Sequence, residues 1–173
     1  SVTGSWSDTA TWGGSAVPGA GAIAVINSGV TVTYDANSST ALKAVCINGL
    51  LDWGTSGTLR MVTSELVVEE GGELRIGTTS SPFTGSALVE FSGTLDAGTV
   101  GTPGTDPEQF GVGLIVFGKI RLHGEEKTPF VKVANGGVNS GTTSVTLIST
   151  PTNWDSGDEV TLPESLQRLD GGS

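Results

Sequence analysis

Cysteine is nearly absent: Cys46 is the only one among 173 residues, so no disulfide can form within the chain. Histidine is equally scarce, with His123 alone, and together they rule out a Cys/His metal cluster. Cys46 sits in an apolar run and reads as a small buried core residue. Basic residues are few, 8 Lys and Arg against 18 Asp and Glu, for a formal net charge of −10. Phosphate backbones bind basic surfaces, so this balance excludes nucleic acid as a partner. It also denies any general attraction to an anionic polysaccharide, leaving only local attraction. No apolar run approaches the roughly 20 residues that cross a bilayer, so no membrane span is expected. Sustained helical periodicity is missing, which predicts little helix. Gly-x-Ser-x-Gly, His-Glu-x-x-His and phosphate-loop motifs are missing as well, so the chemistries they carry have no support.

What the chain does have is glycine, 27 residues of it, beside abundant Ser and Thr. With 36% hydrophobic residues, disorder is excluded, and 173 residues suffice for one domain with a real core. Sparse Lys and this turn-rich composition fit an exported protein, secreted or at a cell surface, whose leader is not part of this sequence. Five segments place apolar residues before a glycine and an alternating stretch after it. They are Val25-Ile-Asn-Ser-Gly29-Val-Thr-Val, Val45-Cys-Ile-Asn-Gly49-Leu-Leu-Asp-Trp53, Val68-Glu-Glu-Gly-Gly72-Glu-Leu-Arg-Ile76, Val89-Glu-Phe-Ser-Gly93-Thr-Leu and Ile115-Val-Phe-Gly118-Lys-Ile-Arg-Leu122. Their glycines stand 20, 23, 21 and 25 residues apart. Such a period is the mark of stacked repeats that bury their apolar faces only against one another. The fold predicted is all-β, a right-handed parallel β-helix-like stack of strands with an N-terminal cap. Each glycine would supply a positive φ or a tight corner.

Residues 1–22 form the expected cap, with Trp6 and Trp12 covering the open end of the first coil. Residues 23–173 form the β-helical domain, interrupted near 99–110 by the polar, Pro- and Gly-containing TVGTPGTDPEQ excursion. Residues 111–122 resume as an apolar rung. Further alternating strands are expected at Phe130–Val133, Ser144–Ile148 and Val160–Leu162. No closing cap follows, so the chain is expected to be the N-terminal part of a longer protein, with downstream domains of the same polypeptide as partners.

Half of the basic residues fall at Lys119, Arg121, Lys127 and Lys132, with His123 among them. In a strand over 118–123, Lys119, Arg121 and His123 share one face while Ile120 and Leu122 share the other. That makes a cationic row suited to the carboxylate or sulfate of a glycan; the alternative is a solvated face paired with Glu125 and Glu126. Trp53 and Trp154 are candidate sugar platforms, since aromatic faces stack on sugar C–H groups. Glycoside hydrolysis needs paired carboxylates, and Asp155, Asp158 and Glu159 in Trp154-Asp-Ser-Gly-Asp-Glu-Val160 are the candidates. Asp158 also suits a turn, accepting backbone hydrogen bonds. His123 and Asp158 are thus the catalytic candidates. No metal or other cofactor is required; weak Ca²⁺ binding by Glu69, Glu70 and Glu73 is the one metal option, without an EF-hand or nonapeptide calcium motif. Asn37-Ser38-Ser39 is a glycosylation sequon.

Taken in order, the Trp6…Trp12 and Val17-Pro-Gly19 opening, Gly71-Gly-Glu-Leu-Arg-Ile-Gly77, Pro82-Phe-Thr-Gly85, Gly118-Lys-Ile-Arg-Leu-His-Gly124 and the Trp154–Val160 segment resemble the G8 domain, bacterial-type members included. The resemblance covers most of the chain. It implies an extracellular β-helical module set ahead of further β-helix repeats and associated with carbohydrate. G8 domains occur in fibrocystin-like proteins and in hyaluronan-depolymerising hyaluronidases, and in the latter the Leu-His-Gly segment lies where the active region is approached. The expected function is therefore a non-catalytic extracellular scaffold with carbohydrate contact. The alternatives are the N-terminal part of a polysaccharide-degrading, hyaluronidase-like hydrolase or lyase, and a structural adhesin stalk.

Overall fold

A computed structural model describes residues 1–14, 16–94, 110–134, 138 and 141–162. It divides into two units, Ser1–Glu125 and Glu126–Ser173. Among the described residues, ten strands lie in the first: β1 Gly4–Ser5, β2 Ile23–Ile26, β3 Thr31–Thr33, β4 Asn37–Ile47, β5 Leu50–Asp52, β6 Ser56–Val68, β7 Glu73–Ile76, β8 Thr84–Phe91, β9 Gly113–Val116 and β10 Lys119–Leu122. The only described helix is a 3-10 turn over Thr9–Trp12, started by the Asp8 carboxylate accepting from Ala10 N at 2.9 Å. No described helix is long and apolar enough to cross a membrane.

The strands form two all-parallel sheets. One has the order β1-β3-β5-β7-β10; the other has β2-β4-β6-β8, with β9 also on β6. The chain crosses between sheets at a corner after β2, β4, β6 and β9. Period-2 alternation then decides what is buried: Ala24 and Ile26 face inward while Ile23 and Val25 are exposed, and Val45 and Ile47 face inward around Cys46. Val32, Leu51 and Leu74 from the first sheet share one core with Ile26, Val45, Ile47, Met61, Leu66 and Val68 from the second. Each such aliphatic side chain contributes about 1.5–3 kcal/mol by leaving water.

Three sequence expectations change. Gly49, Gly72 and Gly118 stand at the corners, each pressed against backbone carbonyls of the neighbouring corner, but Gly93 does not. It follows β8, and β8 and β9 both pair along β6: Thr84–Phe91 with Ser56–Thr63, and Gly113–Val116 with Glu65–Val68. One strand position is thus filled by two segments, and the interval from Gly72 to Gly118 is 46 residues for the single step from β7 to β10. The excursion expected at 99–110 lies in that interruption and, apart from Phe110, outside the described residues.

Cys46 is the second change. It is half-buried on the outer side of β4, not in the core. Its ladder neighbours are Val25 and Val67. Burial, then the carboxylates of Glu65 and Glu69, raise its pKa, so the thiolate is disfavoured. Alkylation by iodoacetamide at neutral pH should be slower in the folded chain than after urea unfolding. Equal rates, followed by mass spectrometry, would contradict this placement.

The third change concerns the second unit. Of the strands expected there, only one antiparallel bridge, Val133 with Leu147, is present among the described residues. Phe130, Ile148 and Val160 are 74%, 61% and 54% exposed, so their apolar faces are not covered in the way a stacked strand requires.

Candidate functional site

The corner spacing determines what meets on the outer surface of the first sheet. Three residues beyond the corner glycines stand Asp52, Arg75 and Arg121, and register stacks them in one column on β5, β7 and β10. Arg75 and Arg121 are direct neighbours on strands roughly 4.8 Å apart. Like charges in that position repel. Each is compensated by a carboxylate one strand away. Arg75 Nη2 donates to Asp52 Oδ2 at 2.7 Å and its Nε to Oδ1 at 3.3 Å, a two-pronged grip. Arg121 Nε lies 3.4 Å from Glu73 Oε1. The Asp52 hydrogen bond raises the Arg75 pKa, against an opposing effect of burial.

Beside the two guanidiniums is a groove of about 340 Å³, lined also by His123 and by Gly77, Thr78, Thr79 and Ser80. Among the described residues, no carboxylate lines it. Its floor is fixed by the backbone. His123 N donates to Ile76 O at 2.8 Å, and His123 O accepts from Phe83 N at 2.7 Å. Gly77, at φ +66°, packs against the His123 carbonyl and Phe83 N, a place where no Cβ fits. The adjoining turn closes on itself: Thr78 N donates to Ser81 O at 2.8 Å, and Ser81 N to Thr78 Oγ1 at 3.0 Å. The groove therefore offers two guanidiniums, an imidazole and three hydroxyls on a held frame, a donor-rich set that suits an oxyanion.

The residues expected from sequence divide. Arg121 and His123 meet in the groove, and Lys119 is exposed on the same strand, with no ion-pair partner among the described residues. Arg121 is paired with Glu73, not with Glu125 or Glu126. Lys127 belongs to the second unit, where its Nζ donates to Asp158 Oδ2 at 2.7 Å and lies 3.5 Å from Asp155. That contact lowers the Asp158 pKa, as does the hydrogen bond Asp158 accepts from Asp155 N, in the turn role its sequence suggested. Trp154 is half-buried, its Nε1 donating to Thr128 O at 2.7 Å. Trp53 offers no platform at all: it is 1% exposed and stacks on Tyr34 at 4.5 Å. Parity explains this, since Leu51 points in, Asp52 out and Trp53 in again. Among the described residues no three His, Cys, Asp or Glu side chains converge on a metal position.

Arg75, Thr78, Thr79 and Ser80 were not singled out by sequence. One signal was present: Gly72-Glu-Leu-Arg75 and Gly118-Lys-Ile-Arg121 place arginine at the same step after the corner.

Residues 11–134 match the family described as the G8 domain. The chain is 33% identical to mouse fibrocystin-L over 90 residues, 52% of this chain and 2% of that protein. It is 32% identical to human fibrocystin-L over 90 residues, again 52% and 2%. With mouse fibrocystin it is 24% identical over 163 residues, 93% of this chain and 4% of the relative. It thus spans only a few per cent of the length of these curated relatives. No solved structure matches it.

Proposed function

The chain belongs to the G8 domain family, and from that premise we propose that it is a non-catalytic extracellular module of a larger polypeptide, a stiff β scaffold that holds an acidic sugar on the outer face of β7 and β10. Its similarity to small parts of very long proteins supports the module reading. The scaffold is read as coils of a right-handed parallel β-helix. Supporting this are in-register parallel pairing, corner glycines at Gly49, Gly72 and Gly118, and the right-handed preference of parallel crossovers. The observation that carries the binding reading is the in-register Arg75–Arg121 pair beside a groove without carboxylates. Two adjacent guanidiniums, each with a single carboxylate partner, favour a further anion beside them, and a uronate carboxylate or a sulfate supplies one.

Binding should be weak, because the net charge of −10 repels polyanions at long range. It should weaken further with salt, since the Debye length is about 8 Å at physiological ionic strength. Titration calorimetry with acidic and neutral tetrasaccharides tests the proposal. Arg121→Ala is expected to reduce affinity about tenfold, the scale of one hydrogen bond to a charged group. Lys119→Ala should cost less, because an ammonium cannot grip a carboxylate at two points. Equal affinity for wild type and Arg121→Ala would remove the groove from the function.

A further inference from the structure

The two arginines of the groove are held in different ways. Asp52 grips Arg75 through two nitrogens, with the paired side chains 30% and 21% exposed. The contact of Arg121 with Glu73 is Nε to Oε1 at 3.4 Å, beyond good hydrogen-bond length, and the Arg121 side chain is 55% exposed. Glu73 stands in register with Lys119, one step from Arg121 along the neighbouring strand. Its carboxylate is the one that Arg121 faces, and it does not line the groove.

Resting on the acidic-sugar reading above, we propose that Glu73 is a resident counter-ion that competes with the ligand for Arg121, while Asp52 fixes Arg75 as the permanent half of the clamp. In the free protein, Glu73 relieves the repulsion between the two guanidiniums. An incoming carboxylate or sulfate takes over that role, and Arg121 exchanges one anion for another. A neutral sugar offers no replacement charge and leaves the Arg121–Glu73 contact in place. Glu73 therefore sets a threshold: only an anionic group displaces it. The threshold is low, because an exposed ion pair of this kind contributes little to folding.

The distinguishing consequence is that removing a carboxylate tightens binding. Glu73→Gln should raise affinity about twofold to fivefold, the range spanned by exposed ion pairs. The probes are a hyaluronan tetrasaccharide carrying only carboxylates, a chondroitin sulfate tetrasaccharide, and chitotetraose as the neutral arm. Glu90→Gln is the control: it removes the same charge from the other sheet, where Glu90 pairs with Arg60. Tighter binding of either acidic probe by Glu73→Gln alone, with chitotetraose unbound, supports the proposal, and the better acidic probe tells carboxylate from sulfate. Unchanged or weaker binding by Glu73→Gln, with wild type still binding an acidic probe, overturns the counter-ion role and leaves the acidic-sugar reading standing. An equal gain in Glu90→Gln overturns it too, since the effect is then general charge. If no protein binds either acidic probe, the acidic-sugar reading fails, and this proposal with it.

Discussion

Trp53→Ala should lower the unfolding free energy by about 3–5 kcal/mol, the range for truncating a buried Trp or Phe. The ring is 1% exposed and is one end of an aromatic series crossing four chain segments. Trp12 meets Trp6 edge-on at 4.9 Å, Trp6 meets Tyr34 at 5.1 Å, and Tyr34 stacks on Trp53 at 4.5 Å with 25° between planes. Register explains the series, because each ring follows the last residue of β1, β3 or β5, except Trp12, which closes it from the 3-10 turn. Truncation would open a cavity between parallel strands whose backbones are hydrogen-bonded on both sides and cannot collapse inward. Trp53→Phe should cost much less. It keeps a ring against Tyr34 and removes an indole N–H that meets no acceptor among the described residues, whereas the Tyr34 hydroxyl donates to Arg60 O at 2.6 Å. Urea unfolding of the three proteins decides. A loss under about 1 kcal/mol for Trp53→Ala, the ordinary scale of a surface substitution, would mean the column does not support the core.

The parts of this structure that were legible in sequence are those where one residue type has one physical job. Corner glycines recur because carbonyls of the preceding turn leave no space for a Cβ, so Gly49 and Gly72 announce the spacing from β5 to β7. Gly93 misleads because glycine also ends strands, and an insertion between β8 and β9 happens to place it near one period. Face assignments fail where hydrophobicity is read without parity. Cys46 lies between two inward residues and must point out, and Trp53 shares the parity of Leu51 and must point in. The site was half legible. Arg121 and His123 sit close together in the chain, and alternation alone puts them on one face. Arg75 lies 46 residues earlier, and only the parallel pairing of β7 with β10 brings it beside Arg121. Lys127 shows the converse, near in sequence yet part of another unit and already paired with Asp158.

Gly72→Ala should be strongly damaging, at about 3 kcal/mol or more, the upper part of the range for overpacking. A Cβ there would overlap the Ile47 carbonyl oxygen, with Ile47 C at 2.9 Å and Glu69 O at 3.1 Å. These are backbone atoms of a corner tied by hydrogen bonds: Glu69 N to Ile47 O at 2.9 Å, Gly72 N to Glu69 O at 2.8 Å, and Lys119 N to Gly72 O at 2.9 Å. A flexible side chain would rotate away, but here the backbone of the neighbouring corner must shift, and the corner bonded to Gly72 O follows it. Gly29→Ala separates this cause from the more familiar one. Gly29 has φ +74° with nothing within 4 Å of a new Cβ, so alanine pays only the left-handed backbone cost, about 1–2 kcal/mol. Thermal unfolding of both variants should rank Gly72→Ala well below Gly29→Ala. The same shift would move β7 and β10 apart, so Gly72→Ala should also weaken acidic-sugar binding at temperatures where it remains folded. Equal melting temperatures for the two variants would mean that the corner is held by φ alone and that close packing of neighbouring corners does not set the glycine spacing.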